Sequence, residues 1–375
     1  MTSPPPRSSP GAASAHALAP TPAGLACAAA GLVIDPLRPV ARALVTHGHS
    51  DHARPGHGAV MATAETLAIM EARLGPNFAG STQVAAYGEP VRIGEATVTF
   101  LPAGHVLGSA QILIEAAGRR YVVSGDYKRQ TDPTCLPFEP IPCDVFVTEA
   151  TFGLPVFRHP EAAAEVGRLL RSVALFPDRT HLVGAYALGK AQRLIAELRR
   201  AGYERPIYLH GALVAICALY EEAGVSLGPL VPVGAKREPL AGEIVIAPPS
   251  ALGDLWSRRF ADPVTAFASG WMRVRAHARQ RGVELPLVVS DHADWEDLCT
   301  TIVETAAAEV WVTHGEEDAL VHWCGTRGIA AKPLRLVGYG DEGEAEPPPA
   351  GPGAASAEAA TDGGVDGSPE AGAAS

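Results

Sequence analysis

The 375-residue chain predicts an α/β fold whose strands end on metal-ligating side chains. Three observations point there. The apolar run Ala43-Leu44-Val45 leads into Thr46-His47-Gly48-His49-Ser50-Asp51-His52, so a buried strand would deliver three imidazoles and a carboxylate together at its end. Other apolar strands also stop at an acid or a histidine: Tyr121-Val122-Val123 before Asp126, Asp144 to Thr148 before Glu149, and Val310-Trp311-Val312 before His314. Between residues 151 and 289, amphipathic helices alternate with short strands, the pattern of a small domain with a mostly parallel sheet.

In chain order, Gly31-Leu32-Val33-Ile34 is a short strand ending on Asp35, which reads either as a turn residue before Pro36 or as a carboxylate that orients a histidine. His47 and His49, two apart, point to the same side of an extended chain. Asp51 and His52 come as the chain turns and can face a neighbouring point. The alternative is a polar loop whose histidines satisfy themselves with backbone or water. The spacing is not that of the helical His-x-x-x-His pair. Thr63 caps an expected helix from Ala64 to Leu74 with Leu67, Met70 and Leu74 inward. His57, between two glycines, reads as a surface loop residue.

Strands are expected at Val91 to Ile93, Thr97 to Leu101 and Gln111 to Glu115, with His105 in the loop between the last two. Asp126 alone fits a strand-terminating turn in Ser-Gly-Asp as well as it fits a ligand. Helices follow over residues 161 to 176, 188 to 201 and 211 to 223, with strands at His181 to Ala185, Ile207 to Leu209, Ile244 to Ala247 and Val264 to Ala268. Leu287 to Asp294 reads as a strand running into His292, or as a helix start in which His292 is one of several polar residues. A helix from Trp295 to Ala308, a strand ending at His314, a helix from Asp318 to Thr326 and a strand at Leu334 to Val337 close the chain.

The length exceeds what one ordinary core serves, so two domains are expected. The formal charge of -11 is unevenly spread: residues 341 to 375 hold eight acids and no base, leaving -3 for the rest, and residues 151 to 289 carry +5. That middle segment can face an anionic polymer. Both ends, to about Pro22 and after about Gly340, have the composition of disordered segments. Six scattered cysteines without a Cys-x-x-Cys pair read as thiols in a reducing compartment. No stretch of about twenty apolar residues suggests a membrane span, and the start lacks a secretory pattern. A cytoplasmic protein is expected.

His47-x-His49-x-Asp51-His52 resembles the signature of the metallo-β-lactamase superfamily. The resemblance implies an αββα sandwich that holds two zinc ions. Glu149, the segments from Ala185 to Gln192 and from Ala268 to Met272, Ser290 to Asp294, and Thr313 to Glu316 resemble in order the β-CASP nucleases, which carry an inserted smaller α/β domain. The nearest likeness is to bacterial ligase-associated DNA exonucleases, themselves similar to RNA 3′-end processing nucleases, and it covers roughly residues 24 to 338. With the composition of the two ends, it divides the chain into a disordered segment 1–22, a metallo-β-lactamase domain in two parts, 23–150 and 290–340, an inserted domain 151–289 and a disordered acidic tail 341–375. The insert is shorter than in the eukaryotic processing enzymes.

Residue by residue, the resemblance implies that His47, His49 and His105 bind one zinc, that Asp51, His52 and His314 bind the other, and that Asp126 bridges them. Asp35 would orient a ligand histidine. For catalysis it implies His292, Glu149, Asp126 and Asp51. His292 would act as general acid, kept protonated by the Glu149 carboxylate. Manganese is a possible activating metal. A phosphodiester is anionic and attacked reluctantly by water, so paired cations suit its hydrolysis independently of the likeness. Lys190, Arg193, Arg199, Arg200, Arg258, Arg259, Arg273, Arg275, Arg279 and Arg281 are candidate phosphate contacts, many of which would be solvated helix faces.

The expected substrate is nucleic acid, single-stranded DNA ahead of RNA. Functional association with a DNA ligase and a helicase follows from the family name alone. Histidine at position 314 is what RNA-cutting members carry, whereas the eukaryotic DNA-cutting ones tend to have an apolar residue there. Rival readings are a thioesterase or lactonase on the same core, which leaves residues 151 to 289 unexplained, and a scaffold that binds nucleic acid without cutting it.

Overall fold

The computed structural model describes residues 16–234, 239–280 and 282–334. Two sheets face each other. The first has six strands in the order Leu18–Thr21, Gly24–Cys27, Leu32–Ile34, Arg42–Leu44, Ala59–Ala62 and Thr82–Val84, antiparallel over the first three and parallel thereafter. The second has seven: Ala330–Pro333, Glu309–Gly315, Val145–Ala150 and Arg119–Val123 run parallel, and Ala110–Ala116, Ala96–Pro102 and Val91–Ile93 continue antiparallel.

Alternation along each strand supplies one inward apolar row. Leu25, Ile34, Leu44 and Met61 from the first sheet therefore pack in one cluster with Val98, Phe100, Ile112, Ile114, Tyr121, Val147 and Trp311 from the second. The outward rows are covered by helices. Ala64–Leu74 puts Leu67 and Met70 against Val45 and Val60 on one side. On the other, Trp295–Thr305 and Glu317–Thr326 place Leu298, Ile302 and Leu320 against Val122, Phe146, Val310 and Val312. The result is an αββα sandwich.

After Val145–Ala150 the chain leaves the second sheet, and it returns only at Glu309–Gly315, the parallel neighbour of that strand. In between, Leu230–Pro232, Ile207–Leu209, Ile244–Ala247, His181–Gly184, Val264–Ala268 and Leu285–Leu287 form a third sheet in which every pairing is parallel. Its helices Ala162–Leu175, Lys190–Arg200 and Gly211–Glu222 bury Leu169, Leu194, Leu198 and Leu213 against Val183, Ile207, Ile244 and Ile246.

Three expectations need correction. The loose start does not extend to Pro22: Leu18–Thr21 pairs with Gly24–Cys27, because the buried Leu18 anchors it and Ala17 N–H donates to Tyr121 Oη at 3.0 Å. Residues 1–15 and the acidic tail lie outside the described residues. The last strand is Ala330–Pro333, ahead of the expected Leu334 to Val337, of which 335–337 are also outside. The strand expected over Leu287 to Asp294 ends at Leu287, since the Ser290 hydroxyl engages its own backbone, accepting from His292 N at 3.1 Å.

Phe100 is 1% exposed between the facing sheets, whereas Val303 is 56% exposed. Phe100→Ala should cost about 3–5 kcal/mol and Val303→Ala less than about 0.5 kcal/mol in urea denaturation.

Candidate metal centre

Strand Arg42–Leu44 ends at one rim of the sandwich and the chain turns through Thr46 to His52, which buries His47, Asp51 and His52 almost completely. From the facing sheet, His105 comes from the loop after Ala96–Pro102 and Asp126 from the loop after Arg119–Val123. Glu149, next to last in the following strand Val145–Ala150, is 1% exposed. His314 arrives through a bulge: Glu149 pairs with Thr313 and Ala150 with Gly315, so His314 is the extra residue, at φ 54°. The bulge redirects its side chain to the rim. Gly315 at φ 95° follows, its α-carbon close against the carbonyl of Ala150 where a β-carbon has no space.

The inward nitrogens converge. His47 Nε2 lies 3.1 Å from His49 Nδ1, which lies 3.0 Å from His105 Nε2. Asp126 Oδ2 is 3.3 Å from His47 Nε2, 3.4 Å from His52 Nε2 and 3.7 Å from His105 Nε2. One atom each from His47, His49, His105 and Asp126 falls within 4.8 Å, as do atoms from His47, Asp51 and His52. Four donors about 2.0–2.2 Å from a shared ion stand roughly 3.3–3.6 Å apart, and separations of 3.0–3.7 Å are close enough to that to suit a small metal ion. His314 stacks on His52 with ring centroids 4.9 Å apart and an interplanar angle of 23°.

Outward hydrogen bonds set which nitrogen faces in. Asp35 accepts from Thr46 N at 2.8 Å, from the Thr46 hydroxyl at 2.7 Å and from His52 Nδ1 at 2.8 Å. The same hydroxyl lies 3.1 Å from His47 Nδ1 and can accept from it. His49 Nε2 donates to the carbonyl of Leu188 at 3.2 Å, and His105 Nδ1 to the carbonyl of Asp291 at 2.8 Å. Each imidazole thereby sets its outward nitrogen on an oxygen and aims the other nitrogen inward.

Electrostatics agrees with a cation site. Burial, helped by the neighbouring His47, pushes His49 down to about 3. Burial and His292 hold His105 well below its ordinary value, and burial with His52 takes His314 down to about 4. These three are neutral at pH 7, the form that ligates. Burial opposes charge on His52 as well, but Asp126, Asp51 and Asp35 outweigh it and lift that imidazole well above its usual range. Asp126, opposed by burial, is held well below the carboxylate range by His52 and His47. Asp51 Oδ1 is buried with no hydrogen-bond partner among the described residues, as a carboxylate oxygen facing an ion would be. The residues therefore fit metal.

Beside this group, His292 Nδ1 bonds Glu149 Oε2 at 2.8 Å, while Glu149 Oε1 accepts from Tyr127 N at 2.7 Å. An atom each of Asp126, Glu149 and His292 again falls within 4.8 Å. His292 Nε2 is buried without a hydrogen-bond partner among the described residues. Burial disfavours its charge, yet Glu149 dominates and the net direction is upward.

Every expected site residue is thus at one rim. His57, never among them, is buried, with Nδ1 accepting from Val40 N at 3.3 Å, which corrects its reading as a surface residue. Of the expected phosphate contacts, Lys190 and Arg193 are buried to 1% exposure. Arg199 spends its guanidinium on the carbonyls of Leu227, Tyr203 and Pro229, and Arg281 lies outside the described residues. Arg200, Arg258, Arg273, Arg275 and Arg279 are exposed. Sequence reading missed Thr46, Lys128 and Asp132. A hydroxyl that relays a hydrogen bond carries no signature, and charges that pair across distant segments have no spacing to detect.

No family model matches the chain. It is 28% identical over 309 residues to a probable DNA ligase of Opitutus terrae, covering 80% of this chain and 29% of that protein. It is 30% identical to a ribonuclease of Thermus thermophilus over 47% of this chain and 48% of that protein, and 33% identical to cleavage and polyadenylation specificity factor subunit 3 of Dictyostelium discoideum over 35% and 18%. The chain thus spans less than half the length of these relatives. A crystal structure of an Enterococcus faecalis protein of unknown function shares the fold, with a TM-score of 0.53 and 14% identity, covering 77% of this chain and 78% of that one. In motif and sandwich the chain resembles the metallo-β-lactamase/β-CASP nucleases, the family of these relatives.

Proposed function

We propose that the protein is a dinuclear zinc-dependent phosphodiesterase acting on nucleic acid, with exonucleolytic trimming of single-stranded DNA in repair as its role. The observation that carries this is the convergence of inward-facing histidines and carboxylates beside a Glu149–His292 pair. Residues 151–289 are proposed as the inserted domain. Its exposed Arg273, Arg275 and Arg279 supply positive charge for a phosphate backbone.

When bound, the ions acidify water and neutralise charge building on the phosphate. The chain does the rest. His47, His49, His105 and Asp126 would hold one ion, and Asp51, His52 and His314 the other, with Asp126 shared. Thr46, Asp35 and the Leu188 and Asp291 carbonyls keep the imidazoles aimed. His292 holds a proton that Nε2 can hand to the leaving oxygen, because Glu149 stabilises the imidazolium against burial. Asp51 and Asp126 supply negative charge next to the ions.

RNA processing is the second reading, favoured by His314 at the rim and by relatives named ribonuclease. The match covering 80% of the chain, to a protein named a DNA ligase, supports DNA. Among the described residues no helix is long and apolar enough to cross a membrane, and all six cysteines are free thiols. A cytoplasmic location and functional association with a ligase and helicase are proposed with the DNA reading.

End-labelled single-stranded DNA incubated with the protein and zinc or manganese should shorten faster than the matching RNA. A chelator should abolish turnover. Faster RNA loss would transfer the assignment to RNA, and cleavage of a lactone or thioester in preference to both would sink the nuclease reading. His292→Ala should retain both metals by elemental analysis and lose about 10²–10⁴-fold in turnover, whereas Asp126→Ala should lose metal. In Glu149→Gln the upward push on His292 disappears, so its proton is lost at lower pH. The alkaline limb of the rate profile should therefore move to lower pH than in the wild type.

A further inference from the structure

Two of the imidazoles are aimed by carbonyls outside the sandwich strands that carry them. Leu188, partner of His49, sits just ahead of helix Lys190–Arg200 in the third-sheet excursion, and Asp291, partner of His105, lies where that excursion returns. A buried group of charges holds Asp291 directly and engages Lys190, two residues after Leu188. The Asp291 carboxylate is 3.4 Å from Lys190 Nζ, 3.6 Å from an Arg193 terminal nitrogen and 3.9 Å from Lys128 Nζ. Arg193 Nε is 3.5 Å from Asp132, its other terminal nitrogen donates to Gln130 Oε1 at 3.2 Å, and it also bonds the carbonyl of Ser290. Lys190 donates to the carbonyl of Val289 at 3.2 Å, and Lys128 pairs with Asp132.

The three cations are each 1% exposed, so the group cannot receive a substrate phosphate without rearranging. Its bonds instead cross from the excursion to the sandwich. Arg193 belongs to the first, and Lys128, Gln130 and Asp132 to the second. Tyr220 Oη, also on the excursion, accepts from Leu107 N at 3.2 Å two residues beyond His105. Buried ionic groups contribute little net stability, and in some proteins their role is to fix one arrangement among several.

We infer that Asp291 and Arg193 are positioning residues for the metal centre, seating the excursion so that the Leu188 and Asp291 carbonyls stay against His49 and His105. This rests on the metal-centre reading above. Unseating the excursion removes the acceptors that aim two ligands, so cation affinity and seating are linked. By reciprocity a bound cation favours the seated arrangement.

The test is zinc affinity, by competition with a chromophoric chelator well below the melting temperature, for the full chain and its Asp291→Asn and Arg193→Met variants. Partners behind metal-bound histidines typically matter about 10–100-fold, so each variant should bind zinc weaker by about that factor. Amide exchange over residues 186–193 should fall on adding zinc to the wild type. Asp291→Asn leaves the cations poorly balanced. If it does not fold, Arg193→Met, which leaves two cations facing two carboxylates, decides the matter. Wild-type zinc affinity in a variant that melts cooperatively overturns the inference, because a merely stabilising role would lower the melting temperature and leave affinity alone. A wild-type chain that takes up no zinc would instead remove the metal-centre reading itself.

Discussion

Burying several imidazoles and carboxylates at one point is tolerable only if each polar atom has somewhere to go, and that requirement shapes the rim of this sandwich. Every outward nitrogen of His47, His49, His52 and His105 meets a hydroxyl, a carboxylate or a carbonyl. The inward atoms then face one another at hydrogen-bond range. Unpaired, such atoms would each cost free energy comparable to a lost hydrogen bond. An arrangement that supplies acceptors behind the ring and crowds lone pairs in front is what a cation rewards.

Backbone irregularity serves the same end. Asp35 at φ 41° and His314 at φ 54° are non-glycine residues in the left-handed region, and both stand at the site. A regular parallel pairing between Val145–Ala150 and Glu309–Gly315 would leave residue 314 in the ladder, pointing to one face of the sheet. The bulge releases it to stack on His52. Strain of this kind persists where surrounding contacts over-determine it, here the three bonds to Asp35 and the packed strands on both sides.

Much of this was legible beforehand because ligands cluster at strand ends and strands announce themselves by apolar runs. The helix Ala64–Leu74 with its Thr63 cap, and the strands at Ile207–Leu209, Ile244–Ala247 and Val264–Ala268, match the sequence reading residue for residue. Leu287 to Asp294 misled, since an apolar run followed by polar residues looks the same whether the chain continues extended or turns on the Ser290 hydroxyl. Lys190 and Arg193 misled for a different reason. A basic residue at the start of an amphipathic helix is ordinarily solvated, and only Asp291 and Asp132, about a hundred and about sixty residues away along the chain, make their burial affordable.

The sequence alone offered the candidate donors, those after residue 52 only through the family resemblance, together with the α/β class and an excursion between two halves of the sandwich, because residue type and hydrophobic period are local properties of the chain. Which nitrogen of each imidazole faces inward, which cations are spent on internal carboxylates, and how His314 leaves its ladder were decided by tertiary structure. Those depend on backbone carbonyls and charges brought together from distant segments, and a carbonyl is the same group at every position of a sequence.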